Sequence, residues 1–282
     1  MPAPCPICKD ARYLVERYGE RAFAKVCGCN DLCATCGGSG HTMVDDKGYT
    51  FVKPCACRSV GRRVALYNQV RIPSRAASFN FETFLPECEE QQMALATAET
   101  TAKRYRPDAP SRGFIVSGPV GTGKTHLLCA TLRHLTLEVG VPARYVEISF
   151  LFSEIKNGFS AGRSGLDAIA PLVNVAVLAI DEIGKGRGSA FEMDTLDELI
   201  ARRYNAGRTT LFASNFSLAS ETGKGSGYVD PVEFERQAQS LLRARVGERI
   251  YSRLHEMCHA IEFPVGKVKD HRKGDKASLA AR

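Results

Sequence analysis

The chain has 282 residues, 44% hydrophobic and 24% charged, which suits one large globular domain with a small companion. No apolar run approaches the roughly 18 residues needed to span a bilayer, and the N-terminus lacks a basic-then-apolar leader, so no membrane contact and a cytoplasmic location are expected. The net charge of +7 permits nucleic-acid contact without requiring it.

Eight of the 11 cysteines lie in the first 57 residues. Cys5, Cys8, Cys27 and Cys29 repeat as Cys33, Cys36, Cys55 and Cys57, each shifted by 28 positions, with Phe23 matching Phe51 and Lys25 matching Lys53. Each copy is a C-x2-C…C-x-C unit, the spacing that delivers four thiolates to one Zn²⁺ from a knuckle and a returning strand. Two zinc ions are expected, because some 28 residues cannot bury a core that folds alone. Hairpins should turn near Gly19 and at Asp45 to Gly48. Ligation within each repeat is the default reading, with an interleaved arrangement the alternative; Cys33-x-x-Cys36-x-Gly38-x-Gly40 resembles the cysteine-rich repeats of DnaJ chaperones over eight residues. His41 reads as a surface histidine, and Cys88, Cys129 and Cys258 as ordinary thiols without ligand spacing. With thiolates and metals counted the module is slightly negative, which favours a protein partner over nucleic acid.

Residues 58–69 read as a short basic helix or linker, 87–105 as an Ala/Glu-rich helix and 106–112 as a loop. A strand over 112–117 then meets Gly118-Pro119-Val120-Gly121-Thr122-Gly123-Lys124-Thr125 and a helix from His126. This is G-x-x-x-x-G-K-[ST] in its strand-to-helix setting: backbone N–H groups wrap the phosphates of ATP, Lys124 reaches the β- and γ-phosphates, and Thr125 ligates Mg²⁺. A buried strand over 175–180 ends in Asp181 and Glu182. At the C-terminal edge of a parallel sheet, Asp181 would hold Mg²⁺ and Glu182 would orient and deprotonate the attacking water. A strand over 209–214 ends in Asn215, whose amide could touch the γ-phosphate, although asparagine there is also a common turn former. A helix over 247–254 places Arg249 and Arg253 on one face, and 258–263 reads as a fifth strand. From Lys267 onward six basic residues face two acidic ones, a tail that is solvated or touches phosphate.

The order P-loop, Asp-Glu, strand-Asn is that of AAA+ ATPases, and it implies an α/β three-layer sandwich with a five-stranded parallel sheet and Asn215 as sensor 1. With nineteen residues after Phe263, no C-terminal helical lid is expected. From about Arg71 the chain resembles the DnaC/DnaI helicase loaders and the related IstB transposition ATPases, through Arg71-Ile-Pro-Ser-Arg75, Ala77-Ser-Phe-Asn-Phe81, 117–126, 178–184, Gly247-Glu-Arg249, Ser252-Arg253-Leu254 and Asp270-His-Arg272. The resemblance implies Arg253 as the finger toward a neighbouring subunit's ATP, Arg249 in support, Arg272 as a candidate sensor 2 and His126 at the nucleotide. It also implies single-stranded DNA contact through a helix over 150–159; Leu151, Ile155 and Phe159 could equally be core at that spacing. The implied function is an ATPase that loads a DnaB-like replicative helicase onto single-stranded DNA, self-associating through its ATPase face and docking by the zinc module. The alternatives are an IstB-like helper that binds duplex DNA and a transposase, or a zinc-dependent chaperone-like adaptor. The expected layout is a zinc module over 1–60, a linker with a leading helix over 61–110, an ATPase core over 111–266 and a basic tail over 267–282.

Overall fold

The computed structural model describes residues 4–46, 48–109, 111–160, 162, 164–218, 240–268 and 270–271. It opens with two antiparallel hairpins, β1 (Tyr13–Tyr18) with β2 (Arg21–Val26) and β3 (His41–Asp46) with β4 (Tyr49–Pro54). The duplication is carried by the backbone as well as the cysteines. Pairing begins at Tyr13 with Val26 and at His41 with Pro54, the same register. The Cys27 amide bonds the Arg12 carbonyl and the Cys55 amide the Gly40 carbonyl, both at 2.9 Å. Lys9, Asp10 and Arg12 adopt positive φ of 48°, 68° and 64°, where the second copy has Gly37, Gly38 and Gly40 at 59°, 89° and 73°. The first copy therefore holds three side chains in a conformation that favours glycine.

The two copies are seated differently. Tyr13, Ala22 and Ala24 of the first are buried in one core with α1 (Arg58–Val70) and with the helix that follows the P-loop. The residue 60 boundary thus falls inside α1, whose Val60, Val64, Tyr67 and Val70 pack the hairpin against the main domain. The Ala24 amide bonds Asn68 Oδ1 at 2.7 Å, and the Ala22 amide bonds the Ile72 carbonyl at 2.9 Å. On the second hairpin every residue of β4 is exposed.

The main domain is a five-stranded parallel sheet, β5 (Gly113–Ser117), β6 (Ala143–Glu147), β7 (Val177–Asp181), β8 (Thr209–Ser214) and β9 (Cys258–Glu262), in the order β6-β7-β8-β5-β9. The three central strands are buried along their whole length, as a parallel sheet covered on both faces requires. Successive residues serve opposite layers. Phe114, Val116, Val177 and Ala179 join α1, α2 (Glu89–Lys103) and α3 (Lys124–His134), whereas Ile115, Leu178, Ile180 and Phe212 join α4 (Ile148–Ser160), α5 (Gly165–Asn174), α6 (Ala190–Asn205) and α8 (Glu248–Met257). A short α7 (Leu242–Val246) precedes α8. Each such buried aliphatic side chain contributes about 1.5–3 kcal/mol. The expected α/β three-layer sandwich is present; among the described residues no helix is long and apolar enough to cross a membrane.

One charged side chain closes the sheet at the end away from the P-loop. Arg203 of α6 is fully buried and donates to the carbonyls of Leu172 (2.6 Å), Val175 (2.9 Å) and Thr209 (2.6 Å) and to Thr210 Oγ1 (2.9 Å), tying the turn after α5 to the start of β8. Its removal strands several buried acceptors. Arg203→Ala should lower unfolding stability by about 3 kcal/mol or more, read as a reduced urea midpoint; an unchanged midpoint would show that these carbonyls find other donors.

Candidate functional site

Strand β5 ends at Ser117, and the chain turns through Gly118–Gly123 into α3. The turn needs glycine at both ends. Gly118 has φ 136° and Gly123 φ 93°, and a Cβ would lie 2.7 Å from Phe263 Cβ at the first and 2.6 Å from the Phe84 ring at the second. Lys124, only 7% exposed, donates from Nζ to the Gly118 carbonyl at 2.7 Å and to that of Pro119. Its ammonium is thus held over the loop whose amides open α3.

Asp181 ends β7 two strands away and is 3% exposed. Its Oδ2 accepts from Thr125 Oγ1 at 2.8 Å and from the Tyr145 hydroxyl at 2.7 Å, and its Oδ1 from the Glu182 amide at 2.9 Å. Burial, reinforced by the Asp181 charge, pushes the Tyr145 phenol far up, so it remains a donor. Glu182 has φ 57°, a disfavoured backbone for a residue with a side chain, and its carboxylate pairs with Lys185. Lys185 Nζ also lies 3.2 Å from Glu147 Oε1 at the end of β6. Burial raises the Glu182 carboxyl, the nearby Glu147 raises it further, and Lys185 opposes both. Burial also acts to raise Glu147, but hydrogen bonds led by that from Ser149 outweigh it and hold that group low.

The P-loop, Asp181 and Glu182 line one cleft of about 620 Å³, within the range of ligand-sized pockets. Lys124, Thr125, Asp181, Glu182 and Asn215 all face it, so the sequence-derived P-loop, Asp-Glu pair and strand-end asparagine converge. Phe79, Phe84 and Leu85 supply an apolar wall. His126 stacks on Phe79 with centroids 4.2 Å apart, meets Phe84 edge-on and has Nε2 at 2.8 Å from the Asn80 carbonyl. Burial lowers its pKa, so the neutral ring donates to that carbonyl and its side chain positions the wall. Residues 270–271 reach the same loop, where the His271 amide bonds the Gly121 carbonyl at 3.3 Å. Arg272 lies outside the described residues.

Comparison with known proteins adds to this geometry. Residues 91–223 match the family described as IstB-like ATP binding protein. The chain is 31% identical over 157 residues to the replicative helicase loader DnaC of Escherichia coli K12, covering 55% of this chain and 63% of that protein. A solved structure of the DnaC helicase loader superposes with a TM-score of 0.55 and 25% identity, covering 67% of this chain and 99% of the other. The P-loop domain has an AAA+ fold and is similar in sequence to DnaC. The chain spans a little under two thirds of that DnaC, 63%, and the IstB-like family match, over 91–223, leaves the cysteine repeats outside. Over more of its length, 80%, it is 24% identical to the phage-like element PBSX protein XkdC of Bacillus subtilis.

Around the DnaC-like domain, the remaining sequence-derived residues fall in distinct places. Arg249 and Arg253 share α8 and do not line their own chain's cleft. Arg253 is 22% exposed and donates to Asp197 Oδ1 at 2.7 Å, whereas Arg249 is 76% exposed and 3.6 Å from Asp197 Oδ2. On α4, Leu151 and Ile155 are core, Phe159 meets Phe191 edge-on and Lys156 lies 3.5 Å from Glu192. Phe150 is the most exposed of this group, at 70%, against 48% for Phe159.

The cysteines gather within each repeat. The sulfurs of Cys5, Cys8, Cys27 and Cys29 lie within 4.8 Å of one another, as do those of Cys33, Cys36, Cys55 and Cys57, so each set could hold one metal ion and the interleaved arrangement is not adopted. Amides of the knuckle lower the Cys5 thiol to about 7 and the Cys33 thiol to about 6, which favours thiolates. The two sets are linked by Arg12, whose Nη1 is 3.6 Å from Cys33 Sγ. His41 is exposed, hydrogen-bonded to Arg58 at 2.6 Å and outside both sets. Tyr145, Glu147, Lys185, Arg75 and Arg17 are site residues that sequence reasoning missed; Arg75 ends the Arg71–Arg75 segment but received no site role there, the other four sit in no motif, and only the folded sheet and hairpin bring them to the cleft or to the pair beside it.

Proposed function

We propose that this chain is a helicase loader of the DnaC/DnaI kind, an ATPase whose nucleotide state controls delivery of a replicative helicase onto single-stranded DNA. The observation that carries the reading is the convergence of Lys124, Thr125, Asp181, Glu182 and Asn215 on one cleft of a DnaC-like domain. Lys124 would meet the β- and γ-phosphates, and Thr125 and Asp181 would hold Mg²⁺, oriented by Tyr145. Glu182 would take the proton of the attacking water while the Asn215 amide fixes that water or the γ-phosphate. Arg249 and Arg253, outside the lining of their own cleft, would complete a neighbouring subunit's site on self-association; the exposure of Arg249 and the Asp197 bond of Arg253 favour Arg249 as the one that reaches, the reverse of the roles the resemblance implies.

Each cysteine set would carry one Zn²⁺, the ion suited to four thiolates. The second repeat would dock on the helicase, because Met43, Tyr49, Phe51 and Val52 expose from 51% to 79% of their surfaces. Phe150 would stack a base of the single strand.

Mixing the full-length, zinc-loaded protein with its host's hexameric replicative helicase and circular single-stranded DNA should give an ATP-dependent complex and helicase deposited on the circle. Val52→Asp should weaken the complex, and Arg249→Ala should impair deposition. Absence of any helicase complex, with binding to duplex DNA and a transposase instead, would support the IstB-like alternative.

The pH dependence of hydrolysis follows from Glu182. Its raised pKa means that the base is protonated, and turnover lost, at a higher pH than for an ordinary carboxylate as the solution is acidified. Lys185 opposes the shift, so Lys185→Ala should move this acid limb to still higher pH. A limb that stays in place would remove Glu182 from the role of base.

A further inference from the structure

The first hairpin aims a cation at the nucleotide cleft. Alternate residues of a strand share a face, so Tyr13, Val15 and Arg17 of β1 point the same way. Tyr13 is buried and Val15 packs on the main core, which turns this face toward the AAA+ domain. The cross-strand neighbours of Val15 and Arg17 are Ala24 and Ala22, both buried. Where the stripe would place a third apolar residue it has Arg17, which is exposed to solvent and lines the same cleft as Arg75, Lys124 and Thr125. Among the described residues its guanidinium makes no hydrogen bond or ion pair, so a ligand would not have to break one.

The hairpin is held firmly enough to hold that side chain in place. The Ser74 amide bonds the Glu20 carbonyl and the Ala22 amide the Ile72 carbonyl, each at 2.9 Å, and Arg21 bridges Pro73. Tyr13 donates a further hydrogen bond to Glu138. The hairpin end is therefore welded to the segment that carries Arg75, and Arg75 in turn lies close enough to Tyr145 to favour its anionic form, on the Asp181 side of the cleft. Asp181 and Glu182 bring negative charge to the same space, so a bound triphosphate needs cations beyond Lys124.

We propose that Arg17 binds the phosphates of the nucleotide in cis, making the first cysteine repeat part of the nucleotide site and nucleotide affinity dependent on the metal that holds this repeat. The inference rests on the ATP-binding reading above. A guanidinium offers two parallel donors to phosphate oxygens, and a hairpin too small to fold alone owes its form to its metal as well as to its docking. The device links the metal-binding repeat to the P-loop through one side chain.

Affinity for a fluorescent ATP analogue, measured on the full-length, metal-loaded chain, tests this. Arg17→Ala should weaken binding roughly tenfold, and Arg17→Lys, which keeps the charge but not the fork, by less. Stripping metal from the wild type with a chelator should bring its affinity to that of Arg17→Ala, and stripping Arg17→Ala should cost nothing more. Tight wild-type binding with Arg17→Ala unchanged overturns the contact. Equal further loss in the stripped variant overturns the dependence on Arg17, because the metal would then act through the fold as a whole. No nucleotide binding by the wild type would instead defeat the underlying reading.

Discussion

A buried carboxylate at the end of one strand organises this molecule. Asp181 is almost wholly enclosed, and such a charge is tolerable only if hydrogen bonds replace its water. Three are supplied, by the Thr125 hydroxyl from α3, the Tyr145 hydroxyl from β6 and the Glu182 amide from its own turn. These bonds fix the relative positions of the P-loop helix, the edge strand and the turn that carries Glu182. The strand order β6-β7-β8-β5-β9 makes them possible, since it puts the C-terminal ends of β5, β7 and β8 at one edge. The strain at Glu182 is offset by the same arrangement, which spends it on aiming a carboxylate at the cleft.

The second constraint is the joint between the first cysteine repeat and the AAA+ domain. A tandem duplication produces two copies of one backbone, yet only the first has Tyr13, Ala22 and Ala24 at positions that α1 can cover. The corresponding positions of the second copy are His41, Thr50 and Val52, and its hairpin stays open to solvent. One duplicated fold has thereby been divided between two roles, a part fused to the nucleotide domain and a part left exposed. Arg12, reaching from the first copy to a sulfur of the second set, keeps them in contact.

Much of this was legible in the residues, for physical reasons. The glycines and lysine of the P-loop, the apolar strand ending in Asp181 and Glu182, and the 28-residue cysteine offset are local patterns, and each has few alternatives at that spacing. The choice between interleaved and within-repeat ligation was not legible, because spacing alone satisfies both and only the hairpins bring the sulfurs together. Tyr145 reads as one more strand residue, and its role exists only because β6 pairs with β7. Arg203 sits on α6 among ordinary helix formers, with nothing to signal that its guanidinium would be buried against carbonyls. The helix over 150–159 left base contact and core packing equally open; Leu151 and Ile155 lie in the core, whereas Phe159, edge-on to Phe191, keeps about half its surface exposed. A break in a pattern was the one unused signal, the arginine that ends the Tyr13, Val15, Arg17 stripe.

Every role proposed for the chain requires the cleft at Lys124, Thr125 and Asp181 to take Mg²⁺ and a nucleoside triphosphate together. Calorimetric titration of ATP into the full-length chain, with and without added Mg²⁺, addresses that directly. One molecule per chain, bound about tenfold or more tightly with Mg²⁺, is the result the Thr125–Asp181 arrangement predicts. No binding, or the same affinity whether or not Mg²⁺ is present, would contradict it.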